Sequence, residues 1–191
     1  MDETGIGHTV FLDRDGVINR DSPDYITAWD QFEFLPGSLE AICRLTDAGR
    51  VVMVITNQSA VGRGMMDAAT LEAMHGNLRQ AVEAQGGRIE AIFHCPHHPN
   101  DECACRKPKP GLIVQAQRKY HTDLATATMI GDSARDIECG IRSGCGRTIL
   151  VQSGLHDARP QLDDQGQHPD WIATDLAEAV DWLLAGTGSA T

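Results

Sequence analysis

Three carboxylates in the chain could do chemistry together. Asp13-Arg14-Asp15-Gly16 follows the apolar run Thr9-Val10-Phe11-Leu12, and Asp132 follows Ala127 to Ile130 and Gly131. Two carboxylates two residues apart at a strand end can enter one site while pointing differently. A third arriving from another strand creates repulsion that asks for a counter-charge. Hard oxygen donors of this kind suit Mg²⁺, which takes one or two carboxylates together with substrate phosphate. Thr56-Asn57-Gln58-Ser59, after Val51 to Ile55, offers a hydroxyl and turn amides able to cradle a phosphate. Arg106-Lys107-Pro108-Lys109-Pro110 supplies cations on a proline-stiffened segment.

A second group has metal-ligand chemistry of a different sort. Cys95, His97, Cys103 and Cys105 offer three thiolates and an imidazole, a donor set that closes a tetrahedral, structural Zn²⁺ site. His94 and His98 are rival donors; His97 is preferred because Cys95-x-His97 mirrors Cys103-x-Cys105. Zinc there would order a loop that otherwise costs entropy, and with it Arg106 and Lys107. Cys43, Cys139 and Cys145 read as packing residues.

The elements that must position these groups alternate. A helix after Pro36-Gly37 carries Leu39, Ile42 and Leu45, and ends at Gly49. Asp67 caps a long helix reaching Gly86-Gly87, with Leu71, Met74, Leu78 and Val82 at helical spacing. Ile89 to Phe93 reads as a third strand, followed by a loop from 94 to 110. A helix with Leu112, Ile113 and Ala116 inward, the strand Ala127 to Ile130, and a helix with Ile137 and Ile141 come next. Thr148 to Val151, Trp171 to Ala173 and a last helix Leu176 to Leu184 complete the pattern. The stretch from Val151 to Pro169 reads as irregular.

Apolar strands alternating with helices predict an α/β fold, a doubly wound, mostly parallel Rossmann-like sheet covered on both faces. In such sheets sites form outside the carboxyl ends of strands, so Asp13, Thr56 and Asp132 should converge in one crevice. No large cap domain fits between Val17 and Leu35 or between Thr56 and His94. The expectation is one domain over residues 1–191, with the tail 185–191 frayed.

Composition limits the alternatives. The 191 residues carry 16 Lys+Arg against 27 Asp+Glu, a net charge of −11, which speaks against binding nucleic acid or anionic membrane. No apolar stretch approaches the ~20 residues of a membrane span. Met1 to His8 has neither the basic nor the apolar region of a secretory signal. A cytoplasmic monomer is expected, with an anionic substrate allowed where basic residues converge, and with reduced cysteines bound to metal rather than in disulfides.

Val10-Phe11-Leu12-Asp13-Arg14-Asp15-Gly16-Val17, the strand ending in Thr56, Lys107 before a helix, and Met129-Ile130-Gly131-Asp132 with Asp136 resemble, in order, the four motifs of the haloacid-dehalogenase-like phosphohydrolases. The resemblance implies that Asp13 is a nucleophile forming an aspartyl-phosphate and Asp15 the general acid and base. It implies that Thr56 and Lys107 hold the phosphoryl group. Asp13, the Asp15 carbonyl and Asp132 would hold Mg²⁺, with Asp136 orienting Lys107.

Within that superfamily, Cys95-Pro96-His97-His98-Pro99 leading to Cys103-Ala104-Cys105-Arg106-Lys107-Pro108 is similar to two groups. These are the D-glycero-D-manno-heptose 1,7-bisphosphate 7-phosphatases, which serve nucleotide-activated heptose and lipopolysaccharide synthesis, and the histidinol-phosphate phosphatases. Thr56 to Gly64, with its Ser and Arg-Gly, looks like the heptose group. That resemblance implies substrate contacts from Asn57, Gln58, Ser59 and Arg106, and from Asp21 and Tyr25 in a stretch about one residue longer than the family pattern. Ser133 stands where some relatives carry Lys, so a second cation is not expected at that position. A receiver-like signalling module is the non-enzymatic alternative. Its phospho-accepting Asp would end a later strand, whereas the third strand here ends in His94-Cys95.

Overall fold

The computed structural model describes residues 8–186. The expectations for the segment before His8, and for the tail beyond Gly186, lie outside the described residues. Six strands form one parallel sheet: β1 (Thr9–Leu12), β2 (Val51–Asn57), β3 (Ala91–Cys95), β4 (Thr128–Gly131), β5 (Arg147–Val151) and β6 (Trp171–Ala173). Their order is β3-β2-β1-β4-β5-β6. The chain builds outward from β1 to β3, then returns to the other side of β1 with β4. The switch point thus falls between β1 and β4, where open α/β sheets place their crevice.

Alternation along the central strands divides the core. Val10 and Leu12 of β1, Val52 and Val54 of β2 and Ile130 of β4 pack on one face, against Leu45, Leu71 and Val180. These come from α1 (Ser38–Asp47), α3 (Ala68–Ala84) and α7 (Leu176–Ala185). Phe11, Met53, Ile55 and Met129 face the other side, against Leu112, Ile113 and Cys139, from α4 (Gly111–Tyr120) and α5 (Ala134–Ser143). Strands buried on both faces explain their unbroken apolar sequences. Asp67 caps α3 as expected, its side chain accepting from Thr70 N.

Some boundaries differ from the sequence expectation. β3 runs from Ala91 to Cys95, two residues later than the apolar pattern suggested, because it pairs with β2 from Met53↔Ala91 to Asn57↔Cys95. Cys95 therefore sits at a strand end instead of inside a loop. The stretch after β5 is not wholly irregular: α6 (Arg159–Gln165) forms there, with Leu162 buried. On α5, Ile137 is buried and Ile141 is exposed. Residues 17–35 form a packed flap, not a cap, anchored by Val17, Ile18, Ile26 and Phe32. Phe32 stacks on Trp29 and meets Phe34 edge-on. Among the described residues no helix is long and apolar enough to cross a membrane.

Candidate active site

Register brings the polar strand ends together. Leu12 pairs with Val54 on one side and Ile130 on the other, so Asp13, Thr56 and Asp132 leave the sheet at neighbouring points. Asp13 N donates to Ile130 O at 3.0 Å, tying β1 to β4 at the crevice floor. The crevice has a volume of about 640 Å³, and Asp13, Asp15, Thr56, Lys107 and Asp132 all line it. The remaining predicted contacts, Asp21, Tyr25, Asn57, Gln58, Ser59 and Arg106, line it as well.

Lys107 is the electrostatic hub. Its ammonium is 2% exposed and lies 2.8 Å from Asp13 Oδ1 and 2.6 Å from Asp136 Oδ1. It also donates to Ile55 O at 2.8 Å. Burial alone would lower its pKa, but the two carboxylates outweigh that and raise it. Asp136 is fully buried and accepts from Ser133 N and Oγ, which caps α5.

Asp13 and Asp132 are under the opposite pressure. Burial pushes Asp13 up to about 7, against the pull of Lys107. It pushes Asp132 up to about 9, with Asp136 and Asp13 adding to the rise. Carboxylates so placed are short of positive charge, and one atom each from Asp13, Asp132 and Asp136 lies within 4.8 Å of the others. Asp136 is already committed to Lys107 and Ser133, which leaves Asp13 and Asp132 as the side-chain donors for a divalent cation. The backbone keeps that space clear: a Cβ on Gly16 or on Gly154 would run into the Asp132 carboxylate. The donor set fits Mg²⁺.

Asp15 is held quite differently. Arg14 donates to it from Nε at 3.1 Å and from Nη2 at 2.8 and 3.0 Å. Asn19 adds a bond at 2.9 Å and Gln58 one at 2.8 Å. Burial would raise its pKa, but Arg14, then Asn19 and Gln58, bring it below the usual carboxylate range. Gln58 also donates to Thr56 Oγ1 at 2.9 Å, linking β2 to Asp15. Asn57 points elsewhere: its amide pairs in both directions with the Lys107 main chain, at 3.0 and 3.2 Å. It is a strut between β2 and the 94–110 loop before it is a substrate contact.

At the mouth, Asp21 accepts from Ser22 N at 2.7 Å, and burial followed by Asp15 raises its pKa. Tyr25 adopts a left-handed backbone, φ 66°, a costly conformation for a non-glycine residue. The Arg63 guanidinium sits over its ring, 5.5 Å from the centroid. Arg106 has a buried Nη1 with no partner.

The 94–110 loop gathers its four predicted donors. Cys95, Cys103 and Cys105 sulfurs are 3.2–3.5 Å apart, and His97 Nδ1 is 3.6 Å from Cys95 and 3.2 Å from Cys105. These spacings approach the edges of a tetrahedron of ~2.3 Å zinc–sulfur bonds, and all three cysteines are free. The rival histidines are spent elsewhere: His98 caps a short helical turn by accepting from Asn100 N, and His94 faces Glu72. The loop docks tightly on its surroundings. Gln58 N donates to Cys95 O and Gly62 N to Pro96 O at 2.8 and 2.7 Å, and a Cβ on Gly62 would strike His98 and Pro96. Lys109 bonds the Glu102 and Cys103 carbonyls.

Sequence reasoning missed several crevice residues. Arg14, between the two predicted acids, has no role in the sequence reading, yet it is 1% exposed and pairs with Asp15. Arg135, His156 and Gln161 also line the crevice. His156 and Gln161 follow β5, and the strand-end rule applied there would have found them.

The comparisons with known proteins agree with this geometry. A family model described as HAD-hydrolase-like matches residues 104–179. The D-glycero-beta-D-manno-heptose-1,7-bisphosphate 7-phosphatase of Bordetella bronchiseptica is 44% identical over 164 residues, covering 81% of this chain and 92% of that protein. The enzyme of that name from Pseudomonas aeruginosa is 49% identical over 145 residues, covering 76% and 81%. The crystal structure of D,D-heptose 1,7-bisphosphate phosphatase from B. bronchiseptica, complexed with magnesium and phosphate, superposes with a TM-score of 0.87 at 43% identity. It covers 94% of this chain and 99% of that one.

Proposed function

The chain belongs to the D-glycero-beta-D-manno-heptose-1,7-bisphosphate 7-phosphatases among the HAD-like hydrolases, and from that premise we propose that it hydrolyses the 7-phosphate of this sugar bisphosphate in the crevice above β1 and β4. The observation that carries the reading is geometric: Asp13, held by Lys107, and Asp15, held by Arg14, line one crevice together with Thr56 and Asp132. Phosphoryl transfer asks for positioning and charge neutralisation more than for unusual covalent chemistry.

In this reading the Asp13 carboxylate attacks phosphorus while the bond to the sugar oxygen breaks, giving an aspartyl-phosphate. Asp15, ionised under Arg14 while the crevice is empty, takes the proton of the incoming phosphate monoanion and gives it to the departing oxygen. It then takes one from the water that attacks the acyl phosphate, returning Asp13 and releasing inorganic phosphate. Lys107 and Thr56 hold phosphoryl oxygens. Magnesium, when bound by Asp13, Asp132 and the Asp15 carbonyl, supplies the positive charge that keeps both carboxylates ionised and offsets charge on the phosphoryl group. Arg106, with an unpaired buried N–H, and Arg135 are left to meet the second phosphate. Asp21, Tyr25, Asn57, Gln58 and Ser59 complete the pocket for the sugar.

Zinc at Cys95, His97, Cys103 and Cys105 has a structural role, fixing the loop that carries Arg106 and Lys107. We take residues 1–191 as one domain working as a cytoplasmic monomer, since one chain supplies every residue named in the crevice. The deciding experiment offers heptose 1,7-bisphosphate and histidinol phosphate side by side. Mg²⁺-dependent release of phosphate from the first, well above the second, is expected. A preference for histidinol phosphate would overturn the substrate assignment, and no release from either would overturn the enzymatic one.

A further inference from the structure

Arg14 uses every face of its guanidinium, and one of its contacts leads out of the crevice into α3. Its Nε and Nη2 grip Asp15, and its plane lies 5.6 Å from the centre of the Phe32 ring. Its Nη1 points away from the crevice, 3.5 Å from Met74 Sδ and 3.5 Å from His75 Nε2. A thioether is a weak acceptor, so the imidazole is the only good one on that side. His75 is 4% exposed, and nothing in the proposed reaction uses it.

Because arginine never gives up its proton, His75 must accept at Nε2 and carry its own proton on Nδ1. Burial and the Arg14 charge push His75 down to about 3, which keeps the ring a neutral acceptor. The same fact disposes of another use for this corner. Glu72, His75 and His94 bring donor atoms within 4.8 Å of one another, as a metal site would. With Nε2 turned to Arg14 and Nδ1 protonated, His75 has no lone pair to give a cation.

We propose that His75 is a positioning residue: by accepting from Arg14 Nη1 it fixes the plane of the guanidinium, and the guanidinium fixes the Asp15 carboxyl toward the leaving oxygen. The inference rests on the reading of Asp15 as general acid. A two-pronged grip transmits orientation, because carboxyl and guanidinium must stay nearly coplanar to keep both bonds. Removing the acceptor leaves a buried N–H unpaired, which the guanidinium can relieve only by turning, and Asp15 turns with it.

The test uses two leaving groups. A sugar alkoxide needs a proton as it departs, whereas p-nitrophenolate does not. kcat/KM for each reports the first, acid-assisted step. His75→Leu is expected to lower kcat/KM for heptose 1,7-bisphosphate by ~10- to 100-fold, part of what a well-placed general acid contributes. For p-nitrophenyl phosphate the loss should stay within about threefold. His75→Gln, whose amide oxygen can accept from Arg14, should recover most of it. Equal losses on both substrates, no loss in His75→Leu, or a folded His75→Gln as poor as His75→Leu would overturn the proposal. If His75→Leu fails to fold, Arg14→Lys, which keeps the charge but cannot span Asp15 and His75, must show the same split or the proposal falls. A wild-type enzyme that cleaves the aryl ester but not the bisphosphate strikes the substrate assignment alone. The split is then read with any alkyl phosphate that the wild type accepts.

Discussion

Replacing Asp132 by Asn should stabilise the metal-free protein while abolishing its response to Mg²⁺. The carboxyl titrates near 9 in the folded chain against 3.8 as a free side chain, chiefly because it is buried and secondarily because Asp136 and Asp13 face it. Above pH 3.8 the unfolded chain releases this proton and the folded chain retains it, so stability falls as pH rises toward 9. For an isolated group the penalty at pH 8 would be about 6 kcal/mol, and at pH 5 about 2 kcal/mol. Asp13 and Asp136 share the same negative space, so removing one member recovers only part, ~2–3 kcal/mol at pH 8 and under ~1 kcal/mol at pH 5. In a chain of this length that corresponds to a midpoint about 5–10 °C higher at pH 8. The assay is thermal unfolding in EDTA at both pH values, repeated with Mg²⁺, which should raise the wild-type midpoint and leave Asp132→Asn unmoved. A variant less stable than wild type at pH 8 in EDTA, or a gain as large at pH 5, would refute the account of the crevice as a site of unpaired negative charge.

Asp13→Asn should remove turnover, by at least ~10³-fold, in a protein that still folds, since the nucleophile is lost and the shape is kept; retained activity would exclude a covalent role. Lys107→Ala strands two buried carboxylates, so a stability loss of ~3–5 kcal/mol by denaturant titration should accompany the loss of activity. Cys103→Ser should take zinc content well below the ~1 per chain expected of the wild type, by elemental analysis, and open the 94–110 loop to proteolysis. Gly154→Ala drives a methyl into the Asp132 carboxylate; the overpacking, ~1–3 kcal/mol, should raise the Mg²⁺ concentration for half-activation by about tenfold.

The parts of the site that were legible from sequence are those fixed by strand ends. Asp13, Thr56 and Asp132 each close an apolar run, and parallel pairing turns that position into spatial neighbourhood whatever the exact register. The gathering of Cys95, His97, Cys103 and Cys105 was legible for a similar reason, since four donors within eleven residues constrain one another. Long-range pairing is a different matter. β3 begins at Ala91 and not at Ile89 because the β2 edge selects which residues it can bond, and Ile89 is buried beside the strand without joining it. α6 escaped notice because Leu162 is its single buried side chain, too little to make a helical stripe.

Buried polar partnerships were the least legible of all, and they decide how the site works. Arg14 and Lys107 are both cations beside acids in sequence or space, yet they act in opposite senses. Burial pushes Asp13 up, and Lys107, which faces Asp13 and Asp136 together, one charge against two, does not offset it, so the pKa of Asp13 stays high. Arg14 serves Asp15 alone and, with Asn19 and Gln58 helping, pulls its pKa down. Sequence places both pairs within reach but cannot say how many carboxylates each cation must satisfy. That count depends on Asp136 arriving from α5 to give Lys107 a second carboxylate. Two aspartates separated by one residue thus acquire different surroundings, one of them through Asp136, 123 residues beyond Asp13 in the chain and facing the same lysine.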